Sequence, residues 1–381
     1  MLETFLNAKP LYYDKIDYTR MPRVYESVKE HIKLPRVIHL VGTNGKGTTG
    51  RFLASALLAQ KHKVGHYTSP HILSFNERIW INGSDVSDAV LDKAHSELLL
   101  LLSREDADSL SYFEYTTLLA IYIFQDMDYV VLEAGLGGEY DATAVFKNIL
   151  TLITPIDLDH EAFLGNDIAS IATTKLKAVQ KEAILGVQKH QEVEEVVQRL
   201  SKELGVTFVK HDIYLTLDDC EKIKQITKVN NLPSYLQENL SLAISALIKL
   251  GIDYEVEDFT SSRLFGRLTP LNENILLDVG HNALAAESIY NSLKGSKRVL
   301  IYNSFKDKDY YKILTILKPI IKEVEIIKIE DERAESLEIM EESLDKIGIK
   351  YQNFEKLRDD EKYLVFGSFS VAESFLKVYN E

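Results

Sequence analysis

The chain holds a single cysteine, Cys220, so no disulfide can form within it and no zinc site can rest on paired thiolates. That scarcity suits a reducing compartment. Proline and glycine are sparse too, 8 and 18 among 381 residues, which excludes collagenous and low-complexity chains. Long apolar runs are missing. The leucine stretch ending at Leu102 falls far short of the roughly 20 residues that cross a bilayer. At the N-terminus Glu3 stands where an export signal carries positive charge, and Pro10 follows soon after. The expectation is a cytoplasmic protein with no membrane partner. Positive charge is also in deficit, 44 − 58 = −14 at pH 7. That balance argues against a nucleic-acid partner, while a local basic pocket for phosphates remains compatible with it.

Against these shortages stand 45% hydrophobic residues, enough to bury real cores, in a length that predicts two domains. Val37 to Val41 is a short apolar run rich in β-branched residues. A glycine loop follows it, and then Phe52, Leu53, Ala56 and Leu57 recur at helical spacing. The pattern reads strand, loop, helix. Further strands are predicted at Lys63–Tyr67, Tyr129–Glu133 and Asn148–Thr154, with helices around Leu91–Leu102 and Phe113–Phe124. A helix over Tyr235–Leu250 ends the middle of the chain. Strands then restart at Asn274–Asp278, Arg298–Tyr302, Val324–Ile329 and Tyr363–Phe366. Strands alternating with helices predict α/β domains with mainly parallel sheets. We place the boundary near Ser262–Gly266, giving domains at 1–262 and 263–381. Ligands of such sheets gather beyond the C-terminal strand ends. The glycine loop, Ser69, Glu133 and His160 each follow an apolar strand, which implies one site.

Gly42-Thr43-Asn44-Gly45-Lys46-Gly47-Thr48 is a compact relative of the phosphate-binding loop. Its glycines let backbone N–H groups face a polyphosphate, the helix start adds positive dipole, and Lys46 supplies a mobile charge. The alternative is a flexible Gly/Thr turn, which the flanking strand and helix disfavour. Taken alone, Ser69 is as well read as a turn residue before Pro70, Glu133 as a solvated strand end, and His160 as a structural histidine.

The glycine loop, Tyr67-Thr68-Ser69-Pro70-His71, Phe75-Asn76-Glu77-Arg78-Ile79 and Leu132-Glu133-Ala134-Gly135-Leu136-Gly137-Gly138 occur in a telling order. So do Asp141-Ala142-Thr143, Asp159-His160, Gly266-Arg267, Asp278-Val279-Gly280-His281-Asn282 and Lys306-Asp307-Lys308-Asp309. Together they resemble the folylpolyglutamate synthase/dihydrofolate synthase family of the Mur ligase superfamily, over almost the whole chain. The resemblance implies a P-loop-type domain followed by a smaller Rossmann-like α/β domain. It implies an ATP-dependent ligase that joins L-glutamate to dihydropteroate, and also to folates, through an acyl phosphate. The implied partners are these small molecules, and the chain is expected to be a monomer.

The resemblance also assigns residues. Gly42, Thr43, Asn44, Gly45, Lys46, Gly47 and Thr48 would bind ATP, with Asn239, Arg267 and Asp278 on later segments. Ser69 and Glu133 would hold one Mg²⁺, and His160 a second. Lys175 matches a lysine carried as a carbamate, whose anionic oxygens suit two Mg²⁺ ions where an ammonium would repel them. Lys46, His160 and Lys175 form the implied catalytic set. Tyr13, Asp14, Lys15, Ser111, Tyr112, Phe113, Glu114, Tyr140, Asp141 and Ala142 would take the pterin end of the acceptor.

The chain departs from the family in places. It reads Thr174-Lys175-Leu176-Lys177 where the family has Glu-Lys-Ala-Gly, and the spacing from His160 favours Lys175 over Lys177. Glu139 and Ala144 stand at family Arg and Asn positions, Val279 and Leu268 replace motif residues, and Asn239 lacks its usual neighbours. Two other readings share many of these motifs. One is a Mur-type ligase for another carboxylate, and the other is a nucleotide-binding protein that has lost turnover.

Overall fold

Eight strands of the N-terminal part form one sheet in the order β4-β3-β2-β5-β1-β6-β7-β8. They are β1 Arg36–Val41, β2 Val64–Tyr67, β3 Ile79–Ile81, β4 Ser84–Asp85, β5 Tyr129–Glu133, β6 Asn148–Ile153, β7 Glu182–Leu185 and β8 Thr207–Lys210. The computed structural model describes residues 1–10, 17–260 and 262–380. Within it the chain divides into two units. The first is Met1–Leu232 with Leu236–Arg263, and the second is Pro233–Tyr235 with Leu264–Glu381.

In the first unit β1 lies between β5 and β6, parallel to both. Five of its six residues are buried, as a central strand covered on both faces requires. β2 is parallel to β5, and only the β2–β3 and β3–β4 pairs are antiparallel. The C-terminal ends of β1, β2, β5 and β6 therefore open on one edge of the sheet. Their following loops begin at Gly42, Thr68, Ala134 and Thr154. One core packs Val24, Leu98, Leu118, Phe124, Val130 and Phe146. Another packs Ile153, Ile171, Leu176, Val193 and Leu200.

Several elements are less visible in the sequence. Helices at Leu2–Asn7, Arg20–Val28, Gln191–Leu204 and Leu217–Val229 carry narrow apolar stripes. Gln191–Leu204 buries only Val193, Val196 and Leu200 on an otherwise charged surface.

The second unit holds β9 Thr269–Pro270, β10 Ile275–Leu277, β11 Arg298–Tyr302, β12 Ile321–Ile326, β13 Tyr351–Asn353 and β14 Tyr363–Phe366. Their order is β13-β12-β11-β14-β10-β9, parallel except for β9. β12 begins three residues before the expected start at Val324 and ends at Ile326. The charged Lys322 and Glu323 hide its start. Its apolar core includes Ile289, Leu300, Leu314, Val324, Leu344 and Phe366. No helix among the described residues is long and apolar enough to cross a membrane.

Candidate active site

At the end of β1 the loop turns into the helix Lys46–Ala59. Gly45 has φ +87°, and a Cβ there would meet Asn239 Nδ2 at 2.1 Å. Both its backbone conformation and its closeness to a neighbour demand glycine. Asn239, buried on the helix Leu236–Leu250, donates to Gly45 O at 3.4 Å and to Thr49 Oγ1 at 3.2 Å. It thus braces the loop from behind. Thr43 Oγ1 donates to Asp157 O and accepts from Asp157 N, both at 3.0 Å, tying the loop to the segment after β6.

Lys46 Nζ folds back on its own loop, donating to Gly42 O at 3.1 Å and Thr43 O at 3.2 Å. It lies 3.9 Å from Glu133 Oε1, at the end of β5. The other Glu133 oxygen accepts from Ser69 N at 3.3 Å. Lys175 reaches the same loop from the helix Ile168–Leu176, its Nζ donating to Gly42 O at 2.9 Å. Burial, followed by the charge of Lys46, lowers the Lys175 ammonium to about 7, although Asp159 and Asp141 pull the other way. Lys46 and Lys175 thus converge on Gly42 O, with Glu133 beside Lys46 and the Ser69 amide on Glu133. His160 follows Asp159 at the start of the short helix Glu161–Leu164 with φ +53°, and its Nε2 lies 3.9 Å from Asp159 Oδ2. Lys177 is elsewhere engaged, 3.2 Å from Glu139 Oε2.

Among the described residues no three His, Cys, Asp or Glu side chains group as a metal cage. The donors here are instead hydroxyls and one carboxylate. Thr48 Oγ1, at the loop's Walker position, is buried with no hydrogen-bond partner among the described residues. An orphaned buried hydroxyl at the start of the helix that follows the glycine loop fits a hard cation that brings its own water and phosphate oxygens.

Among the described residues, the expected acceptor positions at 111–114 and 140–142 lie beside the loop that follows β5. Ser111 and Glu114 form a capping box at the start of the helix Tyr112–Ile123, and Glu114 also accepts from Arg20 Nε at 2.8 Å. Glu114 is therefore committed to structure. The Phe113 ring lies against Gly135, where a Cβ would come within 2.6 Å of it. Tyr112 sits beneath the Arg78 guanidinium at 5.3 Å and edge-on to Phe75. Tyr140 is half exposed and tilts against Tyr18, with centroids 4.3 Å apart. Tyr18, Tyr25, Glu26, Glu139, Tyr140 and Asp141 are among the residues lining a cavity of about 270 Å³. Tyr13, Asp14 and Lys15 lie outside the described residues.

No family model matches the chain. The Escherichia coli dihydrofolate synthase/folylpolyglutamate synthase is 32% identical over 331 residues, 81% of this chain and 77% of the relative. The chain belongs to the dihydrofolate synthase/folylpolyglutamate synthase family. Among solved structures, Helicobacter pylori folylpolyglutamate synthetase is 38% identical with a TM-score of 0.82, covering 100% of this chain and 98% of that one. The Escherichia coli FolC complex with DHPP and ADP is 27% identical with a TM-score of 0.83, covering 99% and 96%. The two-sheet α/β architecture is the one these family members have.

Two of the residues read by family likeness lie in the second unit. Asp278 is buried and accepts from Tyr235 Oη, Leu268 N and Gly280 N, each at 2.8 Å. Arg267 Nη1 donates to Gly266 O at 3.0 Å, with its guanidinium 5.8 Å from the Phe369 ring. One feature of the first unit escaped the sequence reading altogether, namely His39 inside the apolar run of β1. A polar residue in a fully covered strand was its visible signal.

Proposed function

We propose that this chain joins L-glutamate to dihydropteroate in an ATP-dependent reaction, and extends folates by the same chemistry. The observation that carries the reading is the convergence of Lys46, Ser69, Glu133 and Lys175 on the loop after β1 in a chain of this family. An oxygen of the acceptor carboxylate attacks the γ-phosphorus of ATP. The bond from that phosphorus to the bridging oxygen breaks, releasing ADP and leaving an acyl phosphate. The neutral amine of glutamate then attacks the acyl carbon. The tetrahedral intermediate loses phosphate, and the nitrogen sheds a proton as the amide forms.

The residues divide this work by chemistry. The loop 42–48 presents backbone N–H groups at a helix start, a cradle for phosphate oxygens. Lys46 is mobile enough to leave its carbonyl partners for the phosphoryl group, whose charge it balances during transfer. Thr48, Ser69 and Glu133 would hold one Mg²⁺, and His160 with a carbamylated Lys175 the second. When bound, these ions neutralise charge on the phosphates. Burial supports the carbamate reading. Carbamate formation needs a neutral amine, and Lys175 is fully enclosed beside Lys46, while Lys177 is drawn off by Glu139. Arg267 supplies a planar fork suited to phosphate oxygens. Phe113, Tyr112 and Tyr140 offer ring faces to a flat heteroaromatic acceptor.

The test is incorporation of labelled glutamate into dihydropteroate, with and without ATP. ATP-dependent product with release of ADP and phosphate is expected. No product from dihydropteroate or folate would overturn the reading, and product from a nucleotide-linked sugar acid would move the chain to the Mur-type alternative. Glu133→Gln keeps the side chain's shape and removes an anionic oxygen, so half-maximal activity should need about tenfold more Mg²⁺. An unchanged titration would leave Glu133 as a strand-end carboxylate only.

A further inference from the structure

Asp141 was read above as an acceptor residue, yet its carboxylate is almost wholly used by its own loop. Oδ2 accepts from Gly135 N at 2.9 Å and from Leu136 N at 2.8 Å. Oδ1 accepts from Thr143 N at 2.9 Å and from Thr143 Oγ1 at 2.5 Å. Those four bonds fill the favourable lone-pair positions of an ionised carboxylate. They close the segment 135–143 into a clasp, with Tyr140 and Ala142 on either side of the closing residue. The clasp packs against the helix that carries Lys175: Glu139 N donates to Thr174 O at 2.9 Å, and a Cβ on Gly138 would lie 2.6 Å from Lys175 O.

What ties this clasp to the rigid sheet is His39. Its Nε2 lies 2.7 Å from Thr143 Oγ1. A Thr hydroxyl has one proton, and an ionised Asp141 can only accept, so that proton goes to Oδ1. The bond from His39 must then be donated by Nε2–H, which fixes the tautomer. His39 is completely buried, and Nδ1 has no hydrogen-bond partner among the described residues. Burial holds the ring neutral by lowering its pKa to about 4. The imidazole is thus a permanent one-proton donor mounted on the central strand.

We propose that His39 is a positioning residue which, through Thr143 and Asp141, anchors the 135–143 clasp to β1 and so sets the acceptor-binding face of the site. This rests on the reading of Tyr140–Ala142 as part of the acceptor site. In the His39–Thr143–Asp141 chain each link is needed by the next. Without the imidazole donor the Thr143 side chain loses its bond to β1, and the clasp keeps only its own bonds, the Glu139–Thr174 contact with the helix and the Ala134–Leu40 bond at its entrance among the described residues.

The experiment compares His39→Leu and Thr143→Val, which break the chain, with His39→Gln and Thr143→Ser, which keep a donor or hydroxyl in place. In the steady state the broken pair should raise the KM for dihydropteroate about tenfold while the KM for ATP stays within about twofold. The conservative pair should restore most of the loss. The double variant His39→Leu/Thr143→Val should be no worse than the poorer single one, because the two changes cut one chain. A merely structural role would lower the amount of active enzyme, so kcat would fall with both KM values unchanged. That result would overturn the proposal.

Hydrogen exchange on substrate-free protein provides a readout independent of activity. The Gly135 and Leu136 amides should exchange faster in the broken variants and normally in His39→Gln. Unchanged exchange at those amides would overturn the tie itself, whatever the kinetics. If the wild-type protein ligates no glutamate at all, the functional reading fails, while the exchange result still judges the tie.

Discussion

The two units share a plan, parallel strands with loops at their C-terminal ends, but Glu325 in one and Lys175 in the other show buried charge used in opposite ways. In the second unit Glu325 is buried, and its Oε1 accepts from Arg358 Nη2 at 2.7 Å and Gln352 Nε2 at 2.9 Å. Asp278 is likewise saturated by its own surroundings. In the first unit Lys175 is buried with its amine on a carbonyl, close to the like charge of Lys46. Buried charge that is paired at home holds a fold. A buried amine kept beside another cation costs stability, and it makes physical sense only if a ligand or modification completes the set. Substitutions of Lys46 and Lys175 should therefore remove activity and spare stability, and those of Glu325 and its partners should do the reverse.

The largest expected effect belongs to Lys46→Ala. Its amine touches only loop carbonyls and the edge of Glu133, so the fold should survive while kcat falls about a thousandfold or more. Steady-state kinetics beside a melting curve checks this, and a near-normal kcat would remove the loop from the mechanism. Lys175→Ala comes next, with turnover down by about a hundredfold and partly recovered by a short-chain carboxylic acid that fills the vacated space. Lys177→Ala should stay close to normal, since that side chain is partly exposed and paired with Glu139. A carbonyl signal from labelled bicarbonate on the intact enzyme would locate the carbamate. Equal losses in the two variants would break the contrast between a buried amine kept for chemistry and an exposed one.

Arg358→Met probes the other side of the comparison. It strips Glu325 of its charged partner and leaves, among the described residues, a buried carboxylate on Gln352 alone, with Oε2 already lacking a bond. The second unit should lose about 2 kcal/mol while substrate affinities in the first stay put. Differential hydrogen exchange can read the two units separately, and a loss spread equally over both would dissolve the distinction.

How much of this was legible follows the same divide between pattern and partnership. Strand β1, its glycine loop and the helix behind it announce themselves, because apolar periodicity and loop chemistry agree there. Family likeness pointed to Lys175, and the structure supplies a physical reason for the choice: Ile171, Ala172 and Leu176 surround it on the buried face of its helix. Ser111 and Glu114 were read as acceptor residues, although their spacing is also the signature of a capping box, and the structure shows that box. His39, Asn239 and Thr143 were harder. Their importance lies in what they touch, 104 residues apart for His39 and Thr143 and 194 for Asn239 and Gly45, and no local spacing encodes such pairs. The helices Gln191–Leu204 and Leu217–Val229 went unread because so few of their residues face a core.

The effect that needs acid to be seen, and the finest test of the comparison, is stability between pH 6.5 and 4. The first unit buries His39 and His66 completely. Burial lowers both pKa values, that of His39 to about 4 and that of His66 well below its ordinary value with help from the Arg51 charge. In the unfolded chain each imidazole takes a proton near pH 6.5, whereas in the folded unit His39 does so only near pH 4 and His66 only well below its ordinary value. Between those values the unfolded state binds more protons, so stability falls as pH drops. For His39 alone the change approaches about 3 kcal/mol by pH 4. Lys175 adds nothing in this window, because its lowered pKa of about 7 leaves it protonated in both states below that pH. The second unit contains one histidine, His281, which is only partly buried, and should hold its stability over the same range. Hydrogen exchange as a function of pH should show the core amides of β1 and β2 losing protection before those of β11 and β14. His39→Gln should flatten the dependence of the first unit by removing one of its buried imidazoles. Parallel loss in both units, or an unchanged slope in His39→Gln, would mean that the buried imidazoles do not set the acid limit of the first unit.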